Sequence, residues 1–209
     1  MFTPSTHYQI SKFATTNSII MSLSKISLLA VCLFCTLAIT AQTLTLQPDA
    51  TAGKDALIHE LPSQRNVNFG SNIQLPAHAG TYFGTPFLAR GLFAFDLSTI
   101  PTGMKVDSAF LSLYAYDNPN SGFYLHRNSS GPNGVWIRKV TSSWNENTVT
   151  WNNAPTTTTI HQVAIAPSTN STQDYLDIDV TLLIDDLYQK PTSDLGLQLT
   201  LQNEAYYIT

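Results

Sequence analysis

The sequence predicts an all-β protein, an antiparallel sandwich of short strands with one helix. Only 11% of its 209 residues are charged, against about 25% in typical soluble domains. Ser, Thr, Asn, Gln, Gly and Pro fill the difference, a composition that suits strands and turns. Hydrophobic residues make up 43% of the chain. That fraction is enough for a sizeable core, so disorder is not expected.

Nine segments have the length and residue types of strands. The breaks between them carry turn sequences such as DNPNSG and NSSGPNG. Many short strands at close spacing predict a sandwich or a barrel. The predicted strands are 43–47, 55–60, 87–96, 106–116, 122–127, 134–141, 160–166, 175–180 and 195–202.

Alternation assigns faces to these strands. In the fourth strand, Leu111 and Leu113 share one face, opposite Tyr114 and Tyr116. In the last, 195–202, leucines occupy every second position, opposite a row of glutamine and threonine. An apolar row opposite a polar row predicts a half-buried strand.

One segment breaks the strand pattern. Leu183, Ile184 and Leu187 recur at helical spacing. Asp179 or Thr181 can cap the start, and a proline follows the end. We therefore expect one short helix near residues 181–189, packed across one end of the sandwich.

The N-terminal region has the features of a secretory leader. An apolar run, 26–39, follows Lys25 and ends in small residues near Ala41. The run is short for a membrane span. Met21 opens a compact leader of its own, so it is a candidate for the true start.

Residues 1–41 are therefore predicted to be an upstream extension and a signal peptide. Residues 42–209 are predicted to be one domain that is secreted or held at the cell surface. Both cysteines lie in the leader, which excludes a disulfide framework in the remainder. Cleavage would remove two lysines and leave eight basic against fourteen acidic residues, a net charge of −6. This charge argues against nucleic acid or anionic membrane as a partner.

Four segments, taken in order, resemble the DNRLRE-domain family. They are KDALIHE, LARGLFAFDLSTIPTGMKVDSAFLSLY, WNENTVTWNNAP and DVTLLIDDLY. Members of this family are secreted bacterial modules of jelly-roll type, allied to carbohydrate-binding modules that bind alginate. The resemblance covers residues 43–209. It implies a jelly-roll topology and non-catalytic binding of a polysaccharide, including one that contains uronic acids.

The chain departs from that family pattern in three places. Ala94 stands where a basic residue is common, which weakens the expectation of polyanion binding. Leu187 stands where the helix commonly carries tryptophan. The resemblance also leads us to expect that domain 42–209 lacks its last strand, because related chains continue beyond the position of Thr209.

The run WNENTVTWNNAP has two alternative interpretations. In the family it recurs as part of the fold signature, and two large aromatic rings can anchor a corner of the sandwich. The alternative is a platform on which sugar rings stack. We expect the structural role, carried by Trp144, Glu146, Trp151, Asn153 and Pro155.

A sugar-binding site needs flat aromatic rings together with polar or basic groups. Alternation predicts that several such side chains point away from the core, on strands that could be neighbours. The expected ligand-binding residues are Arg90, Tyr114, Tyr116, Trp136 and Arg138. The alternative is that they are ordinary surface residues, or that Arg90 pairs with an acid for structure.

Jelly-roll sugar modules often carry a structural calcium ion near the chain ends, and the resemblance extends this expectation to the present chain. Carboxylates are the hard oxygen ligands that calcium prefers. The candidates are Asp49, Asp55, Asp177 and Asp179, although Asp179 can instead cap the helix. No other cofactor is expected.

Signatures of catalysis are absent from the sequence. There is no His-Glu-x-x-His, Gly-x-Ser-x-Gly or phosphate loop, and no cysteine nucleophile outside the leader. We therefore expect no enzyme. The alternatives are a surface or matrix adhesion module without a sugar site, and a polysaccharide lyase or hydrolase.

Overall fold

A computed structural model describes residues 9–11, 43–47, 53–72, 74–115, 126, 131–189 and 195–205. These residues form nine strands, one α-helix and a short 3-10 helix, Leu97–Thr99. The strands are β1 Gln9–Ser11, β2 Gly53–His59, β3 His78–Tyr82, β4 Thr85–Phe95, β5 Phe110–Leu113, β6 Val135–Val140, β7 Thr157–Ile165, β8 Tyr175–Asp179 and β9 Gly196–Leu201. The helix, α1, is Thr181–Gln189.

The strands form two antiparallel sheets. The smaller has the order β1-β5-β8, and the larger has the order β2-β4-β9-β6-β7 with β3 also paired to β4. The predicted all-β antiparallel sandwich is thereby confirmed. The jelly-roll topology remains a prediction.

Seven of the nine predicted strands are present with shifted ends, one is absent, and one falls almost entirely outside the described residues. Residues 43–47 contain one isolated bridge position and no strand. Segment 122–127 lies outside the described residues except for His126. Strands β1 and β3 were not predicted. Strand β1 lies in the segment assigned to the upstream extension, and the sequence of β3, HAGTY, carries no apolar alternation.

The main core lies between the two sheets. Leu111 and Leu113 from β5 are fully buried, as are Phe93, Ile137 and Leu197 from the larger sheet. This confirms the face that alternation assigns to the leucines of β5.

Strand β9 is buried on both faces, so the prediction of a half-buried strand was wrong. Gln198 is 3% exposed and Thr200 is 1% exposed, although both point away from the main core. The reason is that β9 lies in the middle of the larger sheet, and part of that sheet's outer face is itself covered.

A second, smaller core covers that outer face. It consists of alternate residues of the larger sheet together with two residues of the segment after β6. Its buried members are Ala56, Ile58, Leu92, Ala94, Val140, Trp144 and Val149. The larger sheet therefore has apolar packing on both sides over part of its area.

Helix α1 confirms the prediction for residues 181–189 and closes one end of the sandwich. Leu183 and Ile184 are buried in the main core. Asp179 Oδ1 accepts a hydrogen bond from Thr181 N at 2.9 Å, and Thr181 Oγ1 accepts one from Ala109 N at 3.0 Å. Within the described part of the chain, no helix has the length and apolar character needed to cross a membrane.

Candidate functional site

Three of the predicted ligand-binding residues lie together on the outer face of the larger sheet. Trp136 and Arg138 alternate on β6, where they oppose Thr200 and Gln198 of β9. Arg90 lies on the same face of β4, because its neighbour Gly91 opposes Leu199 on the inner face. We name Arg90, Trp136 and Arg138 the arginine face.

Arg90 is held by an acid. Its Nε donates to Glu204 Oε1 at 2.7 Å, and its Nη2 donates to Oε2 at 2.6 Å. Thr200 Oγ1 adds a third hydrogen bond to Glu204 at 2.7 Å. Burial raises the pKa of Glu204, but the hydrogen bonds from Arg90 and Thr200 outweigh it and lower the pKa. Glu204 is therefore a charged partner for Arg90 at neutral pH.

Trp151 also contacts Arg90. The guanidinium carbon lies 4.8 Å from the centre of the indole ring, within the range of a cation–π contact. The Arg90 side chain, only 28% exposed, is thus held by contacts with both a ring and a carboxylate. This is the structural pairing that the sequence left open as an alternative to ligand binding.

Arg138 is less constrained than Arg90. Its Nε donates to Gln162 Oε1 at 3.0 Å, and its positive charge contributes to the lowered pKa of Glu204. Its Nη groups make no hydrogen bond to any other described residue. A planar guanidinium with two unused Nη groups can bind a carboxylate through two parallel hydrogen bonds.

An irregularity in β7 places Gln162 within hydrogen-bonding distance of Arg138. The register between β6 and β7 shifts between Ile137 and Lys139. His161, within the shifted segment, has a positive φ of 60°. Its ring lies 3.2 Å from Asp186, which also pairs with the buried Lys139.

Of the two predicted tyrosines, Tyr114 does not join the arginine face. Tyr114 follows β5, whose neighbours are β1 and β8 rather than β4 or β6. Tyr116 lies outside the described residues. One patch of five residues therefore does not form within the described part of the chain. Alternation gives the face of a strand but not the sheet to which it belongs.

The corner 144–155 packs on the outer face beside the arginine face. Trp144 is 7% exposed and belongs to the second core. Lys54 Nζ lies 4.4 Å from the ring centre of Trp144 and donates to its backbone oxygen at 2.8 Å. The indole Nε1 is buried with no hydrogen-bond partner in the described structure.

Glu146 ties the corner to the edge of the larger sheet. Its Oε1 accepts the backbone N–H of Asp55 on edge strand β2 at 3.1 Å. Its backbone oxygen accepts from Asn68 Nδ2 at 2.7 Å. Gly70 packs so closely that a Cβ there would overlap this oxygen. The Glu146 carboxylate thus accepts a hydrogen bond from a backbone N–H at the sheet edge that would otherwise bind water.

The rest of the corner is held by its own hydrogen bonds. Asn153 Oδ1 accepts from Thr150 N at 2.6 Å, and Asn153 Nδ2 donates to Thr148 O at 3.0 Å. Pro155 is buried just before β7 begins. Both side-chain groups of Asn153 therefore brace the turn.

The four acids proposed for calcium do not converge. Asp55 lies on the larger sheet, whereas Asp177 and Asp179 lie on β8 of the smaller one, and Asp49 is outside the described residues. Asp179 caps the helix instead. Burial, with a further contribution from Glu146, raises the pKa of Asp55 to about 7. No group of three or more His, Cys, Asp or Glu that could hold a metal ion occurs among the described residues.

A comparison with family models identifies the protein family of this chain. The model of carbohydrate-binding module family 96 matches residues 47–209. The chain belongs to carbohydrate-binding module family 96. The part matched to family 96 includes the arginine face, the corner 144–155 and helix α1. A comparison with curated proteins found no match.

A cavity of about 480 Å³ within the family 96 region lies away from the arginine face. It is bordered mainly by the end of β4, the 3-10 helix and the C-terminal part of α1. Leu187 is one of its lining residues.

Two contributors to the site were not predicted from the sequence. Glu204 lies beyond the last predicted strand, and Gln162 lies in an irregular part of β7. No spacing pattern connects either residue to its arginine. Only the order of strands in the larger sheet brings them together.

Proposed function

We propose that this family 96 module is secreted or held at the cell surface and binds polysaccharide, including chains that contain uronic acids, without catalysis. The observation that carries the proposal is the convergence of Arg90, Trp136 and Arg138 on one sheet face. This face combines partly exposed indole with guanidinium, the two kinds of group that recognise acidic sugars.

The two kinds of side chain have different tasks in this proposal. The half-buried ring of Trp136 offers a flat apolar surface to the C–H face of a pyranose. Arg138 offers its Nη groups, which bind no other described residue, to a carboxylate. Arg90 mainly keeps Trp151 and Glu204 in position, since its guanidinium is already paired.

The local charge supports modest rather than tight binding of polyanions. Two arginines face one glutamate, so the group carries a single net positive charge. Ala94 supplies no further cation, and the whole chain has a net charge of −4. An acidic glycan should therefore be released by added salt, because exposed ion pairs are screened.

A screen of purified chain against alginate, polygalacturonate and neutral glucans tests the proposal. It is run once with calcium and once with chelator, so that any calcium requirement is measured. Binding to acidic glycans that weakens with salt is expected. Absence of binding to every glycan would favour the adhesion alternative, and release of unsaturated or reducing products from alginate or pectin would favour an enzyme.

Variants of the arginine face locate the site. Trp136→Ala should lower the affinity for every glycan that the parent binds. Arg138→Ala should weaken the binding free energy for acidic glycans by about 1.5–3 kcal/mol, the contribution of a hydrogen bond to a charged group. Arg138→Lys is the matched control, because it keeps the charge but loses the planar fork. Unchanged binding by a folded Trp136→Ala, Arg138→Ala double variant would contradict this location.

The leader hypothesis has its own test. Cleavage after Ala41 would give a mature N-terminus at Gln42. Mass spectrometry of the secreted protein should find this end, and detection of residues 1–20 in the secreted form would contradict the hypothesis.

A further inference from the structure

The turn between β3 and β4 exposes two aromatic side chains. Tyr82 and Thr85 are the last paired residues of the hairpin, so Phe83 and Gly84 form a two-residue turn. Phe83 is 93% exposed and Tyr82 is 57% exposed. Their rings meet edge to face, with centroids 4.6 Å apart. We name Tyr82 and Phe83 the hairpin tip.

The folding of the turn does not explain the phenylalanine. Both turn residues have positive φ, 47° at Phe83 and 78° at Gly84. This geometry favours Asn-Gly or Gly-Gly, since a bulky side chain is strained in the left-handed region. The Phe83 ring also gains almost no burial in return. A strained residue that adds nothing to the core points to a role outside folding.

The strands that carry the hairpin tip are held by ring stacking and by strand pairing. Phe87 stacks between His59 and His78, with ring centroids 4.5 Å and 5.1 Å away. Strand β3 pairs with β4 along all five of its residues. The two exposed rings are thus presented by a paired hairpin, which keeps the entropic cost of binding low.

We propose that the hairpin tip is a second carbohydrate contact, separate from the arginine face, which stacks on the C–H face of a pyranose ring. Phe83 supplies the open ring face, and the Tyr82 hydroxyl supplies a hydrogen bond to a sugar hydroxyl. This inference rests on the proposed polysaccharide-binding function.

Size and charge favour a sugar over other occupants. Two aromatic side chains bury about 300–500 Å² in total, whereas a stable protein interface buries roughly 800 Å² on each partner. Segment 78–87 contains no lysine or arginine. An anionic membrane surface therefore has no cation to attract it at this place.

The tip and the arginine face share strand β4. Phe83 precedes Arg90 by seven residues, which corresponds to about 23 Å along a strand at about 3.3 Å per residue. One glycan chain that reaches both contacts would gain avidity, whereas a short oligosaccharide would reach only one. Affinity should therefore rise with glycan length in the parent and rise less in a tip variant.

Phe83→Asn is the decisive substitution. Asparagine suits the left-handed turn, so the hairpin is kept while the ring is removed. The full chain, the Phe83→Asn variant and the Trp136→Ala variant are compared on alginate, polygalacturonate and laminarin of graded length. Phe83→Asn should weaken binding of the long glycans about tenfold, the equivalent of roughly 1.4 kcal/mol. Tyr82→Phe, which retains the ring but loses the hydroxyl, should lose less.

Each outcome decides between the two sites. Weakening by Phe83→Asn without loss of thermal stability supports the tip contact, whatever Trp136→Ala does. Parental affinity in Phe83→Asn, with loss in Trp136→Ala, overturns the tip contact and leaves the proposed function standing. Failure of the parent to bind any of these glycans overturns both. Two further results would also overturn the sugar contact. The parent could bind phosphatidylcholine vesicles, or it could dimerise, and in either case Phe83→Asn would abolish that association while its glycan affinity stays at the parental value.

Discussion

The corner 144–155 and the hairpin tip both carry two aromatic residues, but they use them in opposite ways. At the corner, Trp144 is 7% exposed, and Trp151 covers Arg90. At the tip, Phe83 is 93% exposed in a strained turn. The corner's rings thus replace water on the sheet, whereas the tip's rings remain available to an outside partner.

This difference shows that an aromatic motif has no fixed meaning in such a module. The corner is conspicuous in the sequence, with two tryptophans seven positions apart, yet its structure is accounted for by packing and hydrogen bonds. The tip is inconspicuous in the sequence, and its exposure has no explanation in the fold. Burial, more than residue type, separates the two roles.

The largest expected effect is at the corner. Trp144→Ala should lower the free energy of unfolding by about 3–5 kcal/mol, because it removes a large buried ring from the second core. Trp144→Phe is the matched control, since it keeps an aromatic ring and removes the unsatisfied Nε1 donor. Chemical denaturation measures both variants. If Trp144→Phe keeps full stability but loses glycan binding, the corner is a sugar platform after all.

The next effect concerns the residue that links the corner to the arginine face. Arg90→Ala should destabilise the fold by about 1.5–3 kcal/mol, because Glu204 loses its charged partner in a half-buried place. A double-mutant cycle with Glu204→Gln should show strong coupling. Full stability of Arg90→Ala together with selective loss of acidic glycans would instead make Arg90 a ligand-binding residue.

The pH dependence of stability tests the environment of Asp55, whose backbone N–H is bound by Glu146 at the edge of the larger sheet. Asp55 has its pKa raised from 3.8 to about 7, so the folded state holds a proton that the unfolded state has released. Stability from this group therefore falls as pH rises from about 4 to about 7. Asp55→Asn should match the parent near pH 4 and exceed it near pH 7, when thermal unfolding is followed across this range.

His59 acts in the opposite direction and must be separated from Asp55. Burial, together with the nearby His78, lowers the pKa of His59 from 6.5 to about 4. Its contribution to stability therefore grows as pH rises between these values. Because His59 is present in both proteins, the difference between Asp55→Asn and the parent isolates Asp55. A difference that does not change with pH would mean that Asp55 is already ionised in the folded state.

The smallest expected effect is at the tip. Phe83→Asn should raise the free energy of unfolding by up to about 1 kcal/mol, because it relieves a strained φ and removes no buried area. Phe83→Ala is the control that keeps the strain, and it should leave stability nearly unchanged. A clear loss of stability in Phe83→Asn would show that the ring does contribute to the fold, and the contrast with the corner would disappear.

Local patterns in the sequence were sufficient to predict the all-β class, seven strand positions, the core face of β5 and helix α1. These features follow from local alternation, helical spacing and turn chemistry, which act over a few residues. It also predicted that Arg90, Trp136 and Arg138 point away from the main core.

Which of these outward side chains meet depends on how the strands are ordered in the folded protein. The order β2-β4-β9-β6-β7 brings β4 and β6 to either side of β9, and it leaves Tyr114 on the other sheet. The same order gives Arg90 its partner Glu204, 114 positions away in the chain. Strand neighbours depend on the energy of packing whole sheets against each other, and no local pattern along the chain carries that information.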